Sequence, residues 1–446
     1  MADEPGRMLR EMVDQLVADG LARSAAVQSA FLAVPRHPFV PDATPREVYD
    51  PDRAIVTRVD AAGVPVSSSS APNIMALMLD RLDLRPGASV LEVGTGTGYN
   101  AALLARLTAP GGSVTSVDID PVVTAVARER LDAAGFGSVR VVDGDGWLGE
   151  PAGAPYDRIE ATVGIWDLSP HWLAQLSDGG VLVIPLWLRA GTEAVVAFER
   201  RGDRLVSRGV DPCGFMRLRG PHAGPERYVP IGEWLAILET PAVEGDRKPA
   251  TPYANRPAGT TRNPTAPTTG NPTAPTAWIA WTAGDPTGDG RATATAEGPT
   301  GERPADEAEL LAGLLELPPT RERLGGELPE GWFTRLSFEE PDSLMLVGAG
   351  DPDRLLQGLY DREGKSLALV GGGDLVVHGG PAALRRLRAK LPDLRRRPLD
   401  LRTLRVEAVP SGTAPDAAGT AGTAGKAGTV TLSRPSFDLV VTGLDR

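Results

Sequence analysis

Residues 90–104 read VLEVGTGTGYNAALL, and this stretch decides the fold. A short apolar run ends at Val93, and Gly94, Gly96 and Gly98 follow at alternate positions before an apolar helical pattern begins. This order predicts a strand, a tight turn and a helix. Glycines allow the backbone to bend sharply and approach a ligand closely, and the helix N-terminus behind them offers unpaired N–H groups. We therefore expect a small-molecule site at the turn.

The positions around the glycines indicate which ligand the turn accepts. A dinucleotide fingerprint requires a further glycine at position 99, which is Tyr99 in this chain. Glu92 places a carboxylate beside the turn, and a carboxylate suits a cationic amino-acid ligand better than a pyrophosphate. The spacing acidic-x-Gly-x-Gly-x-Gly resembles the first motif of class I S-adenosylmethionine (SAM) methyltransferases. The alternative is a plain glycine turn between an ordinary strand and helix.

Length and composition exclude several classes of protein. A chain of 446 residues exceeds one ordinary domain, so two domains and a linker are expected. The formal charge of -12 argues against binding to nucleic acid or to an anionic membrane. The single cysteine excludes an intramolecular disulfide, and the four scattered histidines lack metal-ligand spacing, so no metal is expected. No secretory segment and no apolar run of about 18 residues is present, which predicts a soluble, cytoplasmic protein.

Further apolar runs follow the glycine turn at regular intervals, at residues 114–117, 139–142, 158–163 and 181–185. Their alternation with helical or turn-rich segments predicts a mainly parallel sheet covered on both faces. Ligands on such sheets bind at the carboxyl ends of the strands. Glu92, Asp118 and Asp145 lie at or just past predicted strand ends, which favours a shared cofactor site. Each aspartate taken alone is equally well explained as a solvated turn residue.

Segments across residues 8–200 resemble, in sequential order, the protein L-isoaspartyl O-methyltransferase family. They read VPRHPFVP (34–41), SSSSAP (67–72), VTSVDIDP (114–121), VVDGDGWLG (141–149), APYDRIEAT (154–162) and LSDGGVLVIPL (176–186). The resemblance implies an α/β, Rossmann-like class I fold with SAM as methyl donor and S-adenosyl-L-homocysteine as product. It also implies cofactor contacts from Glu92, Gly94, Thr95, Gly96, Gly98, Asp118, Ile119, Asp145 and Gly146.

The acceptor chemistry indicates a second group of residues. An aspartyl carboxylate has an unperturbed pKa near ~4 and is already ionised at neutral pH, so its methylation needs no histidine base. The site needs a donor that holds one carboxylate oxygen, and Ser70 matches the family's serine at that position. We expect Ser70 to be catalytic, with Ser68, Ser69, Val163 and Trp166 on the substrate side. The alternative is that the four serines form a plain polar loop.

This chain departs from the repair pattern at acceptor-facing positions. The link at residues 55–67 is longer, serines replace Gln-Thr-Ile, and residues 161–172 read ATVGIWDLSPHW. These features resemble a branch associated with ribosomally made, modified peptides (lanthipeptides and graspetides). That resemblance implies methylation of an ordinary aspartate in a cyclised precursor peptide, leading to aspartimide or isoaspartate, and this is the first hypothesis. The alternatives are isoaspartyl repair of damaged proteins, a small-molecule carboxyl methyltransferase and a non-catalytic SAM-binding scaffold.

The sequence predicts four segments. Residues 1–88 are expected to form N-terminal helices and the substrate-side loop, and residues 89–245 the SAM-binding core. Residues 246–305, rich in Pro, Thr and Gly, are expected to be a linker. Residues 306–446 are expected to form a smaller α+β domain, a possible peptide-recognition module. Its predicted basic helix, near residues 384–391, suggests a solvated face or, alternatively, a cradle for an acidic peptide.

Overall fold

The computed structural model describes residues 4–59, 65–189, 191–224, 226–231, 233–239, 304–348, 351–411 and 428–444. Apart from its last two residues, the predicted linker at residues 246–305 lies outside these ranges. The helices are α1 Glu4–Ala18, α2 Ala25–Ala33, α3 Pro45–Val48, α4 Pro72–Leu82, α5 Tyr99–Thr108, α6 Pro121–Ala133, α7 Pro170–Gln175, α8 Pro304–Glu316, α9 Trp332–Glu339 and α10 Ala382–Arg396. Within the described ranges, none of them has the length and apolar character needed to span a membrane.

The strands form three sheets in the described part of the chain. In chain order the strands are β1 Ile55–Val59, β2 Pro65–Ser69, β3 Ser89–Val93, β4 Ser113–Asp118, β5 Arg140–Asp143, β6 Tyr156–Ala161, β7 Leu176–Arg189, β8 Thr192–Arg201, β9 Arg204–Pro212, β10 Glu226–Ile231, β11 Trp234–Glu239, β12 Thr320–Arg323, β13 Ser343–Gly348, β14 Asp351–Asp361, β15 Ser366–Gly371, β16 Asp374–Gly379, β17 Arg405–Pro410, β18 Thr429–Ser433 and β19 Phe437–Thr442. The first two strands pair only with each other, as an antiparallel hairpin.

The main sheet has ten strands in the order β18-β19-β17-β9-β8-β7-β6-β3-β4-β5. Strands β3 to β7 are parallel, and the pairs from β7 to β18 are antiparallel. Side chains alternate between two buried faces: Val181 and Val183 of β7 pack with the N-terminal helices, whereas Leu182 and Ile184 pack on the opposite face. The predicted α/β class and the cover on both faces are therefore confirmed, but the sheet is mixed and not mainly parallel, because the strands beyond β7 join it in antiparallel order.

Three C-terminal strands extend this main sheet. Strand β17 pairs with β9 through Glu407 with Val206 and Ala408 with Leu205, and β19 and β18 follow at the edge. Conversely β10 pairs with β11, and β11 pairs with β13, in the second sheet. Hydrogen bonding thus crosses the predicted boundary at residue 306 in both directions. The segment from β10 to α10 is therefore inserted between β9 and β17, which are neighbours in the main sheet. The predicted boundary differs because pairing between distant strands leaves no local pattern in the sequence.

The inserted segment has its own sheet, in the antiparallel order β10-β11-β13-β14-β15-β16-β12. Helix α10 packs its apolar side, including Leu387 and Leu391, against this sheet. Its basic side contacts acidic residues of the same chain. Ion pairs join Arg386 to Glu340 and Asp342 at 2.6 and 3.0 Å, Lys390 to Glu339 and Glu340 at 3.1 Å each, and Arg388 to Glu322. The basic face of α10 therefore forms ion pairs within this chain and needs no acidic peptide to balance its charge.

Candidate active site

The turn between β3 and α5 has the strained backbone that its glycines predict. Gly94, Gly96 and Gly98 have φ values of +100°, +52° and +84°, in the region that favours glycine. A Cβ atom on Gly94 would lie 2.6 Å from Thr162 Oγ1, and one on Gly96 would lie 2.9 Å from the Ser68 carbonyl oxygen. Both the conformation and the close neighbours therefore require glycine at these two positions.

An open cleft of about 880 Å³ lies at the carboxyl ends of β3, β4 and β6. It brings together most of the residues predicted from the sequence: Ser68, Ser69, Ser70, Gly94, Thr95, Gly96, Asp118, Ile119, Gly146 and Val163. Four predicted residues are not among those that line it: Glu92, Gly98, Asp145 and Trp166. The glycine turn and the serine loop, residues 67–70, thus face one shared space.

Asp118 ends β4 at the edge of the cleft. Its Oδ2 atom accepts a hydrogen bond from the Gly96 N–H at 3.3 Å, and its Oδ1 atom accepts one from the Asp120 N–H at 3.1 Å. Burial raises the pKa of Asp118, and the Arg219 guanidinium, 3.7 Å away, opposes that shift. A carboxylate held by backbone donors at a strand end is suited to accept hydrogen bonds from ribose hydroxyls.

Glu92 lies beneath the cleft and is fully buried. Asn100, on the first turn of α5, donates from Nδ2 to Glu92 Oε1 at 2.9 Å and to Glu160 Oε2 at 2.7 Å. Ser116 also donates to Glu92. Burial raises the pKa of Glu92 to about 7 and that of Glu160 to about 8. Sequence analysis missed Asn100 and Glu160, although a glutamate in an apolar strand was a visible signal.

The residues at the floor of the cleft show whether a SAM molecule would fit there. Asn100 lines the cleft, and its Oδ1 atom is buried without a hydrogen-bond partner among the described residues. An unpaired acceptor above two carboxyl groups suits a cation such as an amino-acid ammonium group. The cradle formed at Gly94 and Gly96 and the carboxylate of Asp118 complete a site that fits the amino-acid and ribose parts of SAM.

Asp145 shapes the cleft indirectly. Its Oδ1 atom accepts a hydrogen bond from the Trp147 N–H at 3.0 Å and caps the short helical turn Gly146–Leu148. Trp147 stacks on His222, with ring centroids 4.2 Å apart, and burial lowers the pKa of His222. The capped turn brings Gly146 to the lining, so Asp145 supports the cofactor side of the cleft from behind.

Arg36 fixes the serine loop from within the core. This fully buried side chain donates to the carbonyl oxygens of Ser69 at 3.1 Å and Ser70 at 2.9 Å, and to Ser69 Oγ at 3.2 Å. A further bond reaches the Val48 carbonyl oxygen at 2.8 Å. Burial lowers the pKa of Arg36 to about 10, so the guanidinium stays charged at neutral pH. Arg36 lies in the VPRHPFVP segment, whose sequence alone predicts no role for it.

The opposite wall comes from residues 216–219, which sequence analysis also missed. Arg217 lies 3.4 Å from the buried Glu193 carboxylate, and its Cζ atom is 4.0 Å from the Trp187 ring centroid. Backbone bonds hold this segment beside Val163, because the Gly164 N–H donates to the Met216 carbonyl oxygen at 2.7 Å. No local signal indicated that this segment would return to the cleft.

Trp166 lies where the catalytic region meets the C-terminal strands. The Arg434 Cζ atom, at the turn between β18 and β19, is 4.7 Å from the Trp166 ring centroid. The neighbouring Asp167 accepts a hydrogen bond from the Ser436 N–H at 2.8 Å. Arg434 also donates to the carbonyl oxygens of Trp187 and Leu188, at 3.3 and 3.2 Å. A substrate role for Trp166 stays a prediction.

The parallel sheet, the glycine turn and the strand-end carboxylate define a class I SAM-dependent methyltransferase. A sequence model of the family described as Protein-L-isoaspartate(D-aspartate) O-methyltransferase (PCMT) matches residues 7–221. A protein-L-isoaspartate O-methyltransferase of Methanopyrus kandleri is 39% identical over 220 residues, covering 49% of this chain and 94% of the relative. One of Hyperthermus butylicus is 36% identical over 225 residues, covering 49% and 90%. The chain belongs to the protein-L-isoaspartate O-methyltransferase family.

Two solved structures are also similar to this chain. A structure titled protein-L-isoaspartate O-methyltransferase has a TM-score of 0.46 at 20% identity, and the match covers 90% of this chain and 96% of that one. A structure from Plasmodium falciparum, in complex with S-adenosyl-L-homocysteine, has a TM-score of 0.40 at 17% identity and covers 47% and 97%.

Proposed function

We propose that this methyltransferase transfers the methyl group of SAM to the free carboxylate of an L-isoaspartyl residue in a peptide or protein. One observation carries the proposal: the serine loop and the glycine turn line the same cleft and are in contact where Ser68 meets Gly96. A carboxylate held at the serine loop is then adjacent to a cofactor held at the glycine turn. Catalysis of this kind depends mainly on positioning.

The residues of the cleft suit an acceptor that is already ionised. SAM, when bound, supplies an electrophilic methyl group on a sulfonium. No histidine is among the described residues that line the cleft, and a carboxylate needs none to remove a proton. The Ser70 hydroxyl donates to one carboxylate oxygen and leaves the other available for attack. Arg36 keeps the loop backbone in place through its bonds to the carbonyl oxygens of Ser69 and Ser70.

Arg217, on the wall formed by residues 216–219, provides a second hydrogen-bond donor to the acceptor carboxylate. Arg217 lines the cleft, and Glu193 offsets its charge from the side away from the cleft. An isolated cation would attract the carboxylate strongly and make its oxygen a poorer nucleophile. A guanidinium that is already paired can orient the carboxylate by hydrogen bonding with a weaker attraction. This arrangement favours a carboxyl acceptor over a neutral amine or hydroxyl group.

The relatives support the isoaspartyl form of the acceptor, because they are named protein-L-isoaspartate O-methyltransferases. Methylation converts that carboxylate into an ester, which is a better acyl donor because methanol can leave. The following backbone nitrogen attacks the ester carbon, methanol leaves with the proton from that nitrogen, and a succinimide forms. Water then opens the ring, and part of the product is an ordinary aspartyl residue. The proposed reaction is therefore a repair reaction.

A second candidate acts by the same chemistry on an ordinary aspartate in a cyclised precursor peptide, of the lanthipeptide or graspetide kind. Its support comes from the acceptor-facing segments that depart from the repair pattern, at residues 55–67 and 161–172, and from the contacts near them. Strand β1 supplies Arg58, which pairs with Asp120 at 2.7 Å beside the cleft, and the C-terminal turn at Arg434 packs on Trp166. A peptide ring can hold an aspartate in the shape that an isoaspartyl residue adopts in a linear chain.

The test compares peptides by mass spectrometry after incubation with SAM. The set contains one linear sequence with isoaspartate, aspartate or asparagine at a single position, and a cyclised peptide encoded beside this protein's gene. Repair predicts that only the isoaspartyl peptide gains the mass of one methyl group and then loses methanol. Methylation confined to the cyclised peptide would establish the second candidate. Reaction with no peptide of the set would contradict both.

A further inference from the structure

Two carboxyl groups share one amide beneath the cofactor side of the cleft. Glu92 of β3 and Glu160 of β6 are directly paired on adjacent parallel strands, and their exposed fractions are 0% and 1%. Asn100 Nδ2 donates to both. Neither carboxyl group forms an ion pair in the part of the chain that the structure describes. A buried pair of like charges without a cation is costly, so the site is built for a positive ligand or for a retained proton.

The charges around this pair are unevenly distributed. Asp118, at the end of β4, adds a further negative charge and raises the pKa of Glu92, while Ser116 of β4 lowers it by donating a hydrogen bond. Arg219, from the opposite wall, lies near Asp118 and not near the pair. Burial is the main cause of the raised pKa of both glutamates, Glu92 raises the pKa of Glu160 further, and the hydrogen bonds from Asn100 lower both, so the pair retains a proton close to pH 7. Its connection to the cleft is Asn100, whose Oδ1 atom is unpartnered among the described residues.

We infer that Glu160 is a positioning residue for the cofactor, acting through Asn100, and that the pair Glu92 and Glu160 releases a proton to solvent when SAM binds. Asn100 Oδ1 would hold a cation such as the ammonium group of SAM, and a positive charge there would favour the ionised form of both carboxyl groups. The inference deepens the proposed function at its cofactor site. It rests on SAM binding and not on the identity of the acceptor.

The sign of the pH dependence follows from the raised pKa values. At about pH 6 the two carboxyl groups are mostly protonated. SAM must then displace a proton from the pair before its positive charge is fully attracted by the carboxylates. As the pH rises through 7 and 8 the carboxyl groups ionise on their own, so SAM affinity increases and then levels off. Glu160→Gln keeps an acceptor for Asn100 but cannot ionise, and it therefore resembles the protonated wild type.

Isothermal titration with SAM in two buffers of different ionisation enthalpy measures both the affinity and the proton release. We expect wild type to release a substantial fraction of a proton at neutral pH. Glu160→Gln should release less, because only Glu92 can still ionise, and should bind SAM about tenfold more weakly at about pH 8, a change equivalent to ~1.4 kcal/mol, with the difference vanishing near pH 6. Glu199→Gln, a partly exposed glutamate of β8 that pairs with Arg201, is the matched control and should behave as wild type.

Equal pH profiles for wild type and Glu160→Gln would overturn the inference. If the variant fails to fold, the two-buffer titration of wild type decides alone, because binding without proton release contradicts the inference directly. The outcome is separable from that of the proposed function. Proton-linked SAM binding combined with no methylation of any peptide would refute the acceptor assignment and leave this inference standing.

Discussion

The two sides of the cleft are built in different ways. The cofactor side comes from consecutive strand ends and turns, at residues 92–100, 116–120 and 145–147. The acceptor side is assembled from distant segments: the serine loop, Val163 and residues 216–219 line it, and Arg36 and Arg434 support it from behind. Local backbone geometry therefore shapes the proposed cofactor side, whereas the proposed acceptor side depends on long-range packing. Substitutions on the cofactor side should therefore abolish SAM binding, whereas substitutions on the acceptor side should leave SAM binding intact.

The largest effect is expected at the glycine turn. In Gly94→Val the new side chain would clash with Thr162 Oγ1 and strain a backbone at φ +100°. We expect SAM affinity to fall by about 1,000-fold. This is the loss expected when overpacking is combined with a β-branched residue in the left-handed backbone region. Gly111→Val is the control, because Gly111 has φ +85° and nothing within 4 Å. Titration calorimetry should show normal SAM binding for this control, and similar losses in both variants would indicate a general folding effect.

A smaller effect, confined to methyl transfer, is expected at the serine loop. Ser70→Ala removes the hydroxyl donor while the backbone bonds from Arg36 remain. We expect single-turnover methyl transfer to fall by about 100-fold, with SAM affinity within a few-fold of wild type. Ser89→Ala, at the opposite end of β3, is the control. Unchanged transfer in Ser70→Ala would remove that residue from the catalytic role.

The smallest effect is expected where the C-terminal strands support the acceptor side. Arg434→Met keeps the length of the side chain but loses its bonds to the carbonyl oxygens of Trp187 and Leu188. We expect the KM for a peptide to rise by about threefold to tenfold, the scale of one lost hydrogen-bonded contact, with SAM affinity unchanged. Arg402→Met, an exposed arginine of the same C-terminal segment, provides the comparison. Equal KM values for both variants would show that these strands do not influence acceptor binding.

The residues of the proposed cofactor side could be picked out from the sequence because their pattern is local. The run at residues 114–117 lies within β4, and the glycine spacing led directly to the turn before α5. The role of Arg36 was not predictable, since its bonds reach residues 12 to 34 positions away. Glu160 appeared as one polar residue in an apolar strand, and only the pairing of β3 with β6 places it beside Glu92.

The C-terminal region was predicted less completely for a related reason. Its strands were visible as apolar runs, but no local pattern shows which sheet edge an antiparallel strand joins. The pairing of β17 with β9 and of β11 with β13 therefore emerges only from the folded chain. The same pairing explains how Arg434 comes to lie against Trp166, more than 260 positions earlier in the sequence.

The most direct test of the account concerns the bond that is formed. The protein is incubated with SAM carrying a labelled methyl group and an L-isoaspartyl peptide, and the peptide is then treated with alkali. Carboxyl O-methylation predicts that the label leaves as volatile methanol, and that the matched asparaginyl peptide releases none. Label that stays on the isoaspartyl peptide after alkali would place the methyl group on another atom and contradict the assignment of this cleft to carboxyl methylation.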